Sequence, residues 1–234
     1  MEYAIVLSND LLKEYYEFKH NGSYDNETIQ NLLNYYKSPH ITNIAQLKKI
    51  GIVNSPLFSQ LLQSKLTHQT LLGLCDKTTF KVILDKANSN YPYVNIFQDK
   101  IENNYSSTLY KQESRVKAQE HLKALLKDAS TIFIYDIYFI ERKNWEYTKK
   151  FFKNIIPKKE LNIYYKGFDL TNKGSEIKKI YKNWNFIKDS SNDKYEGLHD
   201  RYLVIDNKIE IILTSGFNYL FDESKDFTYI VRKK

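Results

Sequence analysis

The densest chemistry in the chain lies in Leu198-His199-Asp200-Arg201-Tyr202-Leu203-Val204-Ile205-Asp206, followed by Thr214-Ser215-Gly216-Phe217-Asn218. In an extended strand every second side chain faces the same way. Residues 199, 201 and 203 then share one side, and the His199 imidazole projects beside the Arg201 guanidinium. Neither group is ordinarily buried without a partner, so packing is a poor reason for the pair. Ser215 and Asn218 follow the next strand with polar side chains that can donate to an anion, and Gly216 between them permits close backbone approach. The pattern describes a cradle for a phosphate.

Other residues carry weaker signals. Asp136 sits near the end of an apolar strand, where it either faces the site or caps the following loop. Arg115 reads as a solvent-side or carboxylate-paired arginine, and His121 as a partly buried helix residue. Cys75, beside Leu71, Leu72 and Leu74, reads as a small core residue. It is the only cysteine, which excludes an intrachain disulfide and a cysteine-based zinc site. No Gly-rich phosphate loop, His-Glu-x-x-His motif or Asp-x-Asp calcium loop occurs, so nucleoside triphosphatase and metalloprotease readings fall away, and no metal or cofactor is expected.

The elements that must position these groups follow from periodicity. Residues 3–7 read as a strand and 9–20 as a helix capped by Asn9 or Asp10. Helical spacing continues over 29–36, 44–50 and 55–74, with strands at 80–85 and 93–97, so the first 105 residues read as mainly helical. From 109 the pattern is regular: helix 113–129, strand 131–139, helix 145–155, strand 161–165, helix 175–184, strand 185–188. Alternation of this kind implies parallel pairing through right-handed crossovers. Strands at 197–206, 208–213 and 226–232 close the chain. The fold class expected is an α/β sandwich with a mostly parallel central sheet flanked by helices over 106–234, with antiparallel additions from its C-terminal segment, preceded by a mainly helical region over 1–105.

The chain has 234 residues, 42% hydrophobic and 27% charged, a composition of folded proteins. No apolar run approaches the roughly 20 residues that span a bilayer. The N-terminus lacks a basic region and a long apolar run, so a soluble cytoplasmic protein is expected. Charge is uneven. Residues 1–110 hold 10 basic and 10 acidic residues, whereas 111–234 hold 25 and 18, so the whole excess of +7 lies in the second half. Within it, residues 142–188 carry 13 basic and 4 acidic residues interleaved with aromatics, a surface that attracts polyanions. Lys149 and Lys150 are its candidate contacts to a nucleic-acid backbone.

The motif resembles the phospholipase D superfamily, whose signature is His-x-Lys-x4-Asp followed by Gly-Ser-x-Asn. The resemblance covers roughly residues 105–234. It implies a phospholipase D-like fold and a metal-independent phosphodiesterase in which one histidine attacks phosphorus and a second protonates the leaving oxygen. By the same resemblance His199 is nucleophile or acid, Arg201 and Asn218 are phosphate ligands, Ser215 is a further ligand and Asp206 an orienting carboxylate. Arg201 replaces the usual lysine in a chain with 31 Lys and 4 Arg, Ser215-Gly216 reverses the usual order, and Asn218 lies 19 residues after His199. These departures, with Ile134-Tyr-Asp-Ile-Tyr138 and Gly216-Phe-Asn-Tyr-Leu220, resemble the His-Asp-Arg branch that includes the C-terminal domain of MIT-domain proteins, which implies binding of anionic lipid.

Two function classes follow. One is a nuclease acting through a phosphohistidine, a homodimer because only one motif is present, and by resemblance a bacterial defence effector. The other is a catalytically inactive module that recognises phosphate on nucleic acid or anionic lipid. Residues 1–105 would in either case be available to a protein partner.

Overall fold

A computed structural model describes residues 2–99, 104–191 and 193–234. Contacts cluster into two compact units, Met1–Asn103 and Asn104–Lys234.

The first unit runs β1 (Ile5–Leu7), α1 (Asn9–Lys19), α2 (Asn26–Tyr35), β2 (His40–Ile41), α3 (Ile44–Lys49), α4 (Leu57–Gln63), α5 (Leu71–Cys75), β3 (Ile83–Asp85) and β4 (Tyr93–Asn95). Its four strands pair in parallel in the order β2-β1-β3-β4. Helices make up most of its regular structure, as expected, and pairing of its strands into one parallel sheet makes it an α/β unit. The strands expected at 3–7, 80–85 and 93–97 contain β1, β3 and β4, whereas the two-residue β2 is too short to display alternation and escapes a periodicity reading. Within β1 the alternation is nonetheless kept: Ile5 and Leu7 pack with Leu11, Leu12, Ile29 and Leu32, and Val6 packs on the other side with Leu74, Cys75 and Ile83. Apolar clusters thus fill both faces. The helix expected over 55–74 is two helices, separated by a turn in which Lys65 has φ +56°.

The second unit runs β5 (Tyr105–Leu109), α6 (Val116–Leu126), β6 (Thr131–Tyr135), α7 (Trp145–Asn154), β7 (Leu161–Lys166), α8 (Gly174–Ile180), β8 (Trp184–Lys188), β9 (Arg201–Ile205), β10 (Ile209–Leu213) and β11 (Phe227–Lys233). One seven-stranded sheet has the order β5-β11-β10-β9-β6-β7-β8. Only β6–β7 and β7–β8 are parallel, while β6–β9, β9–β10, β10–β11 and β11–β5 are antiparallel. The mostly parallel sheet is corrected accordingly. The β9–β10 hairpin docks directly beside β6, so the closing strands supply three of the seven strands. Hydrophobic alternation carries no strand direction, and β5, with its exposed Tyr-Ser-Ser-Thr-Leu sequence, carries no alternation of apolar residues.

Strand alternation splits the core. Ile132, Ile134, Leu203, Ile205, Ile211 and Leu213 face Ala118, Leu122 and Leu126 of α6, Phe151 and Phe152 of α7, and Ile177 of α8. Phe133, Tyr135, Tyr202 and Val204 face the other way and pack with Tyr195 from a 3-10 turn. All three helices of this unit thus contribute to one face, a mixed α/β arrangement rather than helices on both sides.

Glu210 of β10 is 1% exposed on the Tyr195 side. Its Oε1 accepts from the Tyr195 hydroxyl at 2.6 Å and Lys194 Nζ at 2.9 Å, and its Oε2 accepts from Arg232 Nε at 2.6 Å. Burial alone would raise the carboxyl. Donation from Tyr195, Lys194 and Arg232 outweighs it and lowers the group from 4.5 to about 2. A depressed carboxyl contributes stability present above its unfolded value and lost as pH falls toward the folded one. Glu210→Gln is expected to cost about 3 kcal/mol at neutral pH. In urea unfolding the gap to wild type should narrow as pH drops from 4.5 toward about 2; a gap independent of pH would contradict the charge-based account.

Candidate phosphate-binding site

The hairpin that presents the motif is pinned at its far end. Asp206 and Asn207 form its two-residue turn with φ of 48° and 54°, left-handed values that Asp and Asn tolerate. Asp206 Oδ1 accepts from the amides of Ser130 at 2.9 Å and Thr131 at 2.7 Å, tying the end of β9 to the start of β6. Burial pushes this carboxyl up, and the amides of Thr131 and Ser130 bring it below its ordinary value. The orienting role expected for Asp206 is therefore corrected to a staple. A five-residue strand separates it from Arg201, roughly 17 Å at strand rise.

At the other end β9 begins at Arg201, so His199 lies in the preceding loop and the expected strand from 197 is corrected. Arg201 shares the face of Leu203 and Ile205, whose burial among the helices anchors the strand. Its side chain is 17% exposed, with Nε 3.6 Å from Asp136 Oδ1 and Cζ 5.4 Å from the Tyr138 ring centre. Nη1 donates to the His199 carbonyl at 2.8 Å, and Nε has no hydrogen-bond partner.

Asp136 follows β6 directly, since that strand ends at Tyr135 rather than 139. It is 2% exposed, and its Oδ1 accepts the Tyr138 amide at 2.8 Å. Both readings of Asp136 thus coincide in one side chain: it caps the loop and faces Arg201. Burial raises its carboxyl above the ordinary value, against the opposing pull of the Tyr138 amide, the Arg201 charge and the Phe217 amide.

Asn218 belongs to a 3-10 turn, Phe217–Leu220, held down by Phe217, whose ring centre lies 5.0 Å from that of Phe151 and 5.1 Å from that of Phe139. Its Oδ1 folds back over Gly216, where an added Cβ would come within 2.3 Å. Glycine is therefore the residue that lets Asn218 take this position.

Arg201, Gly216 and Asn218 line one cavity of about 160 Å³ together with Tyr138, Lys143, Asn144 and Tyr219, several times the ~30 Å³ of a water molecule. Asn144 Nδ2 donates to the Tyr138 carbonyl at 2.9 Å, and Lys143 Nζ pairs with Glu141 at 3.1 Å while remaining 74% exposed. An ion pair that exposed is weak and leaves the ammonium recruitable.

Besides Asp206, the expected residues His199, Ser215, Lys149 and Lys150 do not line this cavity. His199 is exposed, and among the described residues its ring makes no hydrogen bond or ion pair. Ser215 Oγ donates to the Asp226 carbonyl at 3.3 Å. Lys149 Nζ pairs with Glu146 at 2.6 Å, and Lys150 Nζ lies 5.4 Å from the Tyr147 ring centre. Lys143, Asn144, Tyr138 and Tyr219 were missed. The available signal was their place in the loops following Asp136 and Gly216. Arg115 is neither solvent-side nor carboxylate-paired: it is 1% exposed, and its guanidinium donates to the carbonyls of Tyr110 and Lys225.

No family model and no curated protein matches the chain. Among solved structures it is similar to NucT from Helicobacter pylori, at 16% identity and TM-score 0.33, covering 55% of this chain and 85% of that one. It is also similar to TrmBL2, an archaeal chromatin protein whose structure shows a novel mode of DNA binding. There the identity is 12% and the TM-score 0.26, over 55% of this chain and 45% of that one. At these scores the likeness assigns no activity, and the chemistry rests on the residues. Among the described residues no group of three or more His, Cys, Asp or Glu is placed to hold a metal ion, and no helix is long and apolar enough to cross a membrane.

The loop that carries Asp136 depends on Gly167, which has φ +91° and whose added Cβ would lie 3.3 Å from the backbone of Asp136 and Ile137. Gly167→Ala is expected to destabilise the protein by about 1–3 kcal/mol. Gly174→Ala, at a helical position with nothing nearer than 3.9 Å, should be neutral or stabilising. Equal effects of the two substitutions in chemical denaturation would remove the strain argument.

Proposed function

We propose that the second unit recognises phosphodiester groups, with the nucleic-acid backbone as its target. The observation that carries this is the convergence of Arg201, Asn218, Gly216 and Lys143 on one small cavity. A guanidinium has five N–H donors. Nη1 uses one on the His199 carbonyl, and Nε faces Asp136 too far away for a hydrogen bond. The remaining donors form the fork that suits phosphate oxygens. Because Asp136 balances the Arg201 charge, net attraction falls to Lys143 and to the basic stretch beyond it. Lys150 is a backbone contact in this reading, whereas Lys149 is already committed to Glu146. Nucleic acid is preferred to anionic lipid because the second half of the chain carries the +7 excess.

A second reading makes the unit a metal-independent phosphodiesterase. It is favoured by the tie between the His199 carbonyl and Arg201 Nη1, which holds an exposed, unengaged imidazole two residues from the phosphate ligand. In that reading an imidazole nitrogen attacks phosphorus and the P–O bond to the leaving alkoxide breaks. A protonated histidine supplies the alkoxide's proton, and water then cleaves the P–N bond with the histidine roles reversed. With one motif per chain, the second histidine comes from a second copy. One ring must be neutral and the other charged, so the rate would follow a bell-shaped pH profile.

The test is fluorescence anisotropy and gel analysis with single- and double-stranded DNA and RNA in chelator. Arg201→Gln and Asn218→Ala should weaken binding about 10- to 100-fold, and Gly216→Ala should match Asn218→Ala by displacing it. Lys143→Ala and Lys150→Ala should flatten the salt dependence. Wild-type binding that survives Arg201→Gln, or a preference for phosphatidylserine vesicles over every nucleic acid, would contradict the proposal. Cleavage by wild type and none by His199→Ala, with binding retained, establishes the second reading; no cleavage by wild type removes it.

A further inference from the structure

The first unit contains a cleft of its own, of about 800 Å³, where the loops after β1 and β3 diverge. The strand order explains the position. The chain passes from β1 to β2 on one side and then crosses to β3 on the other. The carboxyl ends of β1 and β3 therefore flank the point where the winding reverses, and ligands of open parallel sheets bind at such points.

The residues there suit an anion. Helix α1, 11 residues long, begins at the cleft with Ser8 as its N-cap. The expected caps Asn9 and Asp10 are inside the helix, and the Ser8 side chain makes no capping bond. By contrast Asp25, Asn43 and Thr70 cap α2, α3 and α5 with their side chains. The first-turn amides of α1 are without intrahelical acceptors, at the positive end of the helix dipole. Independently, Ser8 is 5% exposed, lines the cleft, and its Oγ has no hydrogen-bond partner. Its backbone is fully engaged, with the amide donating to Leu84 O and the carbonyl accepting from Leu12 N. A buried hydroxyl left open in this way is costly unless a ligand completes it.

Lys13 and Lys49 line the same cleft, and neither enters an ion pair among the described residues. Two carboxylates also line it. Asp85 is turned onto the amides of Ala87 and Asn88 at 2.7 and 2.8 Å, while Asp10 is exposed in the first turn of α1. Two carboxylates, one of them so engaged, beside two ammonium groups make a poor cage for a hard cation. They are good acceptors for hydroxyl groups. The cleft is also much larger than one phosphate, and Tyr93 and Leu71 supply apolar wall.

We infer that this cleft binds a small phosphomonoester bearing hydroxyl groups, a sugar phosphate or nucleotide, with its phosphate on the α1 N-terminus, Ser8 Oγ, Lys13 and Lys49. This site is separate from the Arg201 cavity and stands without the function proposed for that cavity.

Calorimetric titration of the full chain carrying Arg201→Gln tests it, because the other phosphate site is then disabled. The probes are AMP, ribose 5-phosphate and inorganic phosphate. AMP or ribose 5-phosphate should bind at one site per chain at least about tenfold tighter than inorganic phosphate, and which of the two binds more tightly separates a nucleotide from a sugar phosphate. Adding Ser8→Ala, or Lys13→Ala with Lys49→Ala, should weaken that binding at least about tenfold. Ser8→Ala should leave the unliganded melting temperature unchanged or higher, since it deletes an unsatisfied buried hydroxyl, so lost binding cannot be lost folding. No binding of AMP or ribose 5-phosphate, binding no tighter than that of inorganic phosphate, or binding indifferent to Ser8 and the two lysines would overturn the inference.

Discussion

The second unit is organised around a charge pair at the mouth of its sheet. Arg201 opens β9 and Asp136 closes β6, neighbouring strands running in opposite directions, so the two side chains meet at the same end. At 3.6 Å their attraction is about 4 kcal/mol in a medium of effective dielectric near 20. Desolvating the two ions costs a comparable amount. The pair therefore contributes little net stability. Its consequence is positional: Asp136 is fixed by the Tyr138 amide, and it holds the guanidinium beside the cavity instead of free in solvent. Raised by burial, the carboxyl is also the group whose protonation would make the cavity more positive in acid.

Three loops gather around that pair, two held by hydrogen bonds and one by packing. The loop after β6 brings Tyr138, Lys143 and Asn144 and is steadied by the Asn144 bond to the Tyr138 carbonyl. The turn after β10 brings Gly216 and Asn218 and is anchored by Phe217 among Phe139 and Phe151. The loop before β9 brings His199 through its carbonyl, which leaves the ring unsupported. The site thus presents an oriented guanidinium and amide beside an unoriented imidazole. Recognition under the proposed function uses only the oriented groups, whereas hydrolysis would also need the imidazole and, with one motif per chain, a second copy.

The motif residues that matter most were legible because they are chemically improbable: an Arg in a Lys-rich chain, two residues after a histidine, ahead of an apolar strand. The hairpin and the helices of the second half were legible from periodicity. The docking of β9 beside β6 was not, because Tyr202-Leu203-Val204-Ile205 alternates identically whichever neighbour it meets. Asp206 looked like a site residue from spacing alone, yet its distance from the cavity depends on where the strand starts, and the amides it serves are some 75 residues earlier. Lys143 and Asn144 were hidden for the same reason: long-range loop convergence leaves no local pattern. In the first unit β1, β3 and β4 were legible, and the two-residue β2 was lost because a strand this short has no period.

Arg201 is one of only four arginines, so its side-chain Nε–H can be followed individually by nitrogen-resolved NMR. Titration with a dinucleoside monophosphate such as TpT, which carries a single phosphodiester, measures the central claim directly. The account predicts that the Arg201 Nε–H signal moves and sharpens saturably while those of buried Arg115 and Glu210-paired Arg232 stay fixed. An Arg201 signal unmoved at saturating phosphodiester, or one that moves no more than the signals of Arg115 and Arg232, would contradict it.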